Sequence, residues 1–199
     1  VTGGRGGERA GNNGMKGEGG SMADEWSPAG GPRGPRAQFR IRSNDGRATS
    51  TSYDSFAGKR VVVFSLPGAF TPTCSSTHLP RYNELAPVFK AQGIDTIVCI
   101  SVNDPFVMEE WAKDQEAGNV LLIPDGNGAF TEKMGLLVDK TDLNFGKRSW
   151  RYSMLVRNKT IEKMCVEPRG PGEPVTVCDA DTVRRCQQPN TRRPHSAWG

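Results

Sequence analysis

The residues best placed to do chemistry lie in the run Pro67-Gly-Ala-Phe-Thr-Pro-Thr-Cys74. Cys74 falls in the first turn of a predicted helix, directly after a strongly apolar strand. Unpaired backbone N–H groups and the positive end of the helix dipole there favour an anion, which for a cysteine means a thiolate. Thr71 stands one helical turn earlier, so its hydroxyl can reach the sulfur or whatever the sulfur attacks; its plainer reading is a helix N-cap. His78 lies one turn later. It is read as a packing or hydrogen-bonding residue, since a thiolate held by charge needs no general base. Read without context, Cys74 itself would be a small buried hydrophobe.

Two elements must hold this run. Arg60-Val-Val-Val-Phe-Ser-Leu66 is apolar almost throughout, the pattern of a strand buried on both faces, and Ser75 to Lys90 reads as a helix despite Pro80. Around them, 38–42 alternates as a short half-exposed strand and 43–46 is turn chemistry. Segments 95–101 and 120–123 are further buried strands. Asn103-Asp-Pro105 caps a helix that runs to about Gln115, Gly128 to Met134 is a short helix, and 150–156 with 160–166 form a β-hairpin about Arg157-Asn158-Lys159. The order β-α-β-α-β-α-β-β implies an α/β fold, a mixed central sheet with helices on both faces.

The chain has 199 residues, a net charge of +4 and 24 glycines. Twelve of those glycines fall in residues 1–36, which hold almost no aliphatic side chains, so that stretch is expected to be a disordered Gly/Arg-rich tail. Residues 37–182 form the expected domain, and 183–199 a divergent, disordered basic tail. Residues 183–199 carry +4 and residues 1–36 carry +1, leaving −1 for the domain between them. Basic charge is thus not gathered on folded elements, which argues against a nucleic-acid surface, and no window is apolar enough to span a membrane. The five cysteines Cys74, Cys99, Cys165, Cys178 and Cys186 lack regular spacing, and Cys-x-x-Cys is absent. Neither a disulfide framework nor a metal site is expected, and a reducing compartment is the better reading.

The segment Val61-Val-Val-Phe-Ser-Leu-Pro-Gly-Ala-Phe-Thr-Pro-Thr-Cys-Ser-Ser-Thr-His-Leu-Pro80 resembles the active-site segment of type II (peroxiredoxin-5-like) peroxiredoxins, thiol peroxidases of the thioredoxin fold. The resemblance continues through Ile100 to Met108, Pro124 to Gly128 and Arg148 to Leu155, and covers roughly 37–182. Gly146-Lys-Arg-Ser-Trp-Arg-Tyr-Ser-Met154 is similar in particular to the peroxidase half of bacterial peroxiredoxin–glutaredoxin hybrids. Past Asp179-Ala-Asp-Thr182 the sequence departs from the family, which continues as an apolar helix. With no Cys-x-x-Cys present, the reductant is expected as a separate molecule.

Peroxide reduction needs a thiolate, an oriented O–O bond and charge stabilisation as that bond breaks. An ordinary cysteine titrates near about 8.5, and lowering that by two units takes about 2.7 kcal/mol. A helix N-terminus supplies about 0.3–1 kcal/mol and at best about 2. A cation is therefore required. Arg151, at the start of a strand that can run beside 60–66, is the candidate, and the resemblance implies it as well; its planar fork can hold sulfur and a peroxide oxygen together. Arg148 is the competing assignment, read as an exposed turn arginine with a structural role. The catalytic set is thus Cys74, Thr71 and Arg151, with Pro67, Thr71 and Arg151 forming the peroxide pocket and Pro67 walling it from water.

The sulfenic acid left on Cys74 must be reduced before further peroxide oxidises it to sulfinic acid. Cys99 lies 25 residues on, a separation shared with plant-type members that carry a second cysteine, but it falls within a buried strand where a disulfide could not form without unfolding. Cys178 lies near the position where some animal members hold a resolving cysteine. Cys165 and Cys186 are weaker candidates. The expectation is a peroxidase without bound cofactor, reducing hydrogen peroxide and alkyl hydroperoxides and recycled by glutathione and glutaredoxin. Alternatives are thioredoxin-dependent recycling through an internal disulfide, a slowly turning redox sensor or binding module, or a disulfide reductase, against which the missing Cys-x-x-Cys argues. The resemblance implies a homodimer. The expected location is cytoplasmic, or mitochondrial or plastidic if the N-terminal stretch is a targeting segment.

Overall fold

The computed structural model describes residues 33–43 and 46–167. Its centre is β3 (Arg60–Leu66), whose alternating side chains are buried to both sides: Val62, Phe64 and Leu66 enter one apolar cluster, Val61 and Val63 the other. Only a strand covered on both faces tolerates such a run. β4 (Thr96–Ser101) pairs parallel with β3, and β5 (Val120–Pro124) pairs parallel with β4. On the other side β8 (Tyr152–Arg157) pairs antiparallel with β3 and turns back into β9 (Thr160–Val166). The sheet order is β5-β4-β3-β8-β9. Asn158 and Lys159 make the two-residue hairpin turn with φ of 43° and 70°, the left-handed pair that matches the twist of the strands.

Helices cover both faces, as expected of the thioredoxin fold. Against Val62, Phe64 and Leu66 pack α2 (Leu79–Glu84), α3 (Ala86–Ala91) and α4 (Pro105–Asp114) through Leu79, Tyr82, Phe89, Met108 and Trp111. The opposite cluster receives Phe39 from β1 (Gln38–Ser43), Phe56 from α1 (Ser52–Phe56) and Phe130 from α5 (Ala129–Lys133). Asp104 caps α4, its carboxylate accepting from the N–H groups of Phe106 and Val107. Asp125 does the same for α5, accepting from the N–H groups of Phe130 and Thr131 and from the Thr131 hydroxyl.

The structure corrects the sequence reading at several points. The single helix expected over 75–90 is divided: a π-turn at Cys74–His78, then α2, then α3 beyond a break at Leu85. Pro80 and Pro87 are the reason, since neither can donate to the preceding turn and each ring crowds the carbonyl four residues back. Helical backbone also starts slightly early, at Pro72. β1 gains an antiparallel partner, β2 (Gly46–Thr51), whose Gly-Arg-Ala-Thr-Ser-Thr sequence has no apolar alternation to announce it. A further ribbon pairs β6 (Leu137–Asp139) with β7 (Lys147–Ser149).

Residues 33–36, expected within the disordered tail, are instead held in place. Arg33 bridges to Thr160, the Gly34 N–H donates to the Lys159 carbonyl at 2.9 Å, and the Ser52 hydroxyl donates to the Pro35 carbonyl at 2.8 Å. The remaining expectations for 1–32, for the helix start at Asp179 and for the tail 183–199 lie outside the described residues.

Candidate active site

The site forms where β3 ends. Leu66 leads into the loop Pro67–Thr71, which is short and internally braced: the Thr71 hydroxyl donates to the Gly68 carbonyl at 2.8 Å. The Thr71 carbonyl in turn accepts from the Ser75 N–H at 3.0 Å, which sets the first turn of the helical segment on the loop. From the neighbouring strand end, Asn103 Oδ1 accepts both the Ala69 N–H at 3.0 Å and the Ser101 hydroxyl at 2.7 Å. A Cβ at Gly68 would stand 3.3 Å from the Thr71 methyl, tighter than side chains normally pack, so glycine permits this close loop. Phe70 takes φ 59°, an uncommon value for an aromatic residue, and its ring is half exposed.

Cys74 is buried, and so are Arg151 and His78. Arg151 directly precedes β8. Because β8 runs antiparallel to β3 with Ser65 opposite Tyr152, Arg151 arrives at the end of β3 from which the Cys74 loop departs. Its guanidinium donates from Nη2 to Cys74 Sγ at 3.6 Å and from Nη1 to His78 Nδ1 at 2.9 Å. A guanidinium can only donate, so Nδ1 accepts and the ring proton of His78 sits on Nε2. The π-turn presents Cys74 and His78, four residues apart, to the same guanidinium. His78 is fixed edge-on to Phe64 and Tyr82, with ring centroids at 5.3 and 5.4 Å, while those two rings stack at 3.8 Å. Trp111 Nε1 donates to the Ser75 hydroxyl at 2.9 Å and ties the same turn to α4.

The structure thus brings together Cys74 and Arg151, 77 residues apart in the chain, and adds His78 as the residue that fixes the guanidinium. Thr71 and Pro67 lie in the adjoining loop, both half-buried. The Thr71 hydroxyl donates its proton to the Gly68 carbonyl, which leaves its oxygen an acceptor, and it braces the loop rather than capping the helix. Arg148 is no exposed turn residue: it lies on β7, half-buried, and donates to the Val102 carbonyl at 2.8 Å. Cys99 is fully buried on β4 opposite Phe64, and burial pushes its thiol well above the ordinary range, outweighing Arg151. Cys165 is half-buried on β9, and Cys178 and Cys186 lie outside the described residues.

Two residues of the site were not singled out from sequence. Asn103 was read only as part of a helix cap. Glu167 was not read at all, yet its Oε2 lies 3.6 Å from Arg151 Nε, with only 17% of its side chain exposed. Burial pushes the Glu167 carboxyl above its usual range, opposed by the charges of Arg151 and Lys140. An unbroken hairpin register, extended from Arg157↔Thr160 and Val156↔Ile161, would set Val166 beside Arg151. The β-bulge between Leu155 and Val156 shifts the pairing by one, and the Glu167 N–H donates to the Arg151 carbonyl at 3.0 Å.

A family model described as Redoxin matches residues 30–183. The chain is 58% identical over 159 residues to the hybrid peroxiredoxin hyPrx5 of Haemophilus influenzae, a match covering 80% of this chain and 66% of that protein. It is likewise 58% identical over 137 residues to the peroxiredoxin sll1621 of Synechocystis, covering 67% of this chain and 72% of the relative. Among solved structures, reduced Prx3 of Vibrio vulnificus in complex with hydrogen peroxide superposes with a TM-score of 0.75 at 38% identity, covering 81% of this chain and all of that one.

Proposed function

Since this chain belongs to the redoxin family as a peroxiredoxin of the type II, peroxiredoxin-5-like group, we propose that it is a thiol-dependent peroxidase whose nucleophile is Cys74. The observation that carries the reading is the guanidinium of a buried arginine 3.6 Å from a buried sulfur at the start of a helical segment. In that setting the Cys74 thiolate attacks one peroxide oxygen, forming an S–O bond as the O–O bond breaks. The second oxygen leaves as water or alcohol once protonated. Arg151 donates both to the sulfur and to the departing oxygen, on which negative charge grows, so it stabilises the transition state more than the bound substrate. Thr71 and Pro67 bound the pocket, with Thr71 oxygen accepting from the peroxide O–H.

For recycling we propose glutathione with glutaredoxin. Cys99 cannot present its sulfur without breaking the centre of the sheet, which disfavours an internal disulfide through that residue. The sequence resemblance to peroxiredoxin–glutaredoxin hybrids points the same way. We also propose a homodimer, supported by the half-exposed rings of Phe70, in the loop after β3, and Phe106, in the first turn of α4 after β4, at the same end of the sheet. The test is steady-state peroxide consumption by the purified protein with glutathione plus glutaredoxin, and separately with thioredoxin. Turnover with the glutathione system that disappears in Cys74→Ser is the expected result; turnover that survives this substitution rules the mechanism out.

A further inference from the structure

We propose that Glu167 is a positioning residue for Arg151 and that its carboxylate sets how much of the guanidinium's charge reaches Cys74, an inference that rests on the peroxidase reading above. The guanidinium is used on three sides: Nη2 on Cys74 Sγ at 3.6 Å, Nη1 on His78 Nδ1 at 2.9 Å, and Nε toward Glu167 Oε2 at 3.6 Å. Glu167 is itself fixed through its backbone. Its N–H donates to the Arg151 carbonyl at 3.0 Å, and its carbonyl accepts from Trp150 Nε1 at 2.6 Å, so the two residues just before β8 hold it in register. The main chain is therefore fixed beside Arg151, and burial of the side chain, 17% exposed, restricts the rotamers in which the carboxylate meets the guanidinium.

Nothing in the hairpin's integrity asks for an acid here, because the backbone bonds would serve any residue. Burying a carboxylate is unfavourable unless a partner compensates, and among the described residues Glu167 Oε1 is buried without a hydrogen bond. The compensating group is Arg151, with Lys140 acting on the same carboxyl from a greater distance. On the other side of the guanidinium stand Cys74 and His78, and Cys99 in the sheet adds a neutral thiol. Glu167 and a Cys74 thiolate consequently compete for one positive charge. The acid aims the fork while weakening its pull on the sulfur, and these two effects separate by substitution.

Glu167→Gln keeps size and an acceptor oxygen but removes the charge. Cys74 alkylation by iodoacetamide, followed peptide by peptide with mass spectrometry, should then move to lower pH by roughly half a unit. At a pH where that profile is flat, E167Q should reduce peroxide within about twofold of the parent, whereas Glu167→Ala, which also releases the guanidinium, should fall roughly tenfold. An E167Q profile coinciding with the parent's, or an E167A plateau rate equal to the parent's, overturns the proposal. The alkylation profile reads the Glu167–Arg151–Cys74 coupling without peroxide turnover, so failure of the peroxidase reading would be recognised separately.

Discussion

Replacing Arg151 with methionine removes the positive charge beside Cys74 while keeping an unbranched side chain of similar length. At 3.6 Å, and with an effective dielectric near 20, a guanidinium and a thiolate attract by about 4.6 kcal/mol. Glu167 on the Nε side offsets part of this, leaving about 2–4 kcal/mol to be lost. At about 1.4 kcal/mol per decade, the second-order rate with hydrogen peroxide should fall between about 30-fold and about 1,000-fold at pH 7. Raising the pH restores only the part due to thiolate formation, because the charge on the departing oxygen remains uncompensated. Stopped-flow competition against a reference peroxidase measures the rate. Since R151M strands the Glu167 carboxylate, the double variant R151M/E167Q serves as a folding control, and thermal unfolding of both is compared. An R151M rate within threefold of the parent would refute the assignment of Arg151.

Further expectations follow from the surroundings of the site. Cys99 should resist alkylation at a pH where Cys74 reacts fully, and its rate should match that of global unfolding measured by hydrogen exchange; rapid modification in the folded state would contradict its burial. Asn103→Ala frees the Ala69 N–H and the Ser101 hydroxyl, and should lower stability by about 1–3 kcal/mol in urea titration, with a loss of peroxide rate larger than the loss of folded protein accounts for. The Glu167 carboxyl is raised from its ordinary 4.5, so between that value and its folded value the folded state binds more protons than the unfolded chain. The parent should therefore lose stability relative to E167Q as pH rises through this window, and parallel stability curves would refute the sign.

The central strand and its flanking helices were legible because continuous apolar runs and proline or aspartate caps are local signals. Cys74 was equally legible from the strand–loop–helix context of its motif. Arg151 needed an energy argument: a helix terminus alone does not stabilise a thiolate enough, so a cation had to come from elsewhere, and the β3–β8 register delivers it. The π-turn was not legible. It rests on the bond from the Leu79 N–H to the Cys74 carbonyl five residues back, just before Pro80, and no apolar spacing announces that bond. Glu167 was hidden by the bulge, which moves a whole strand by one residue without any glycine to mark it. β2 was hidden because its polar Gly-Arg-Ala-Thr-Ser-Thr sequence carries no apolar alternation.

The most direct test of Cys74 as the peroxide-reactive residue, with Arg151 as its charge partner, is mass spectrometry of every cysteine peptide after one equivalent of hydrogen peroxide in the presence of dimedone. The expected result is a dimedone adduct on Cys74 alone in the parent, and a sharply reduced adduct in R151M at equal reaction time. Adduct distributed over Cys99, Cys165, Cys178 and Cys186, or an unmodified Cys74 in the parent, would contradict it.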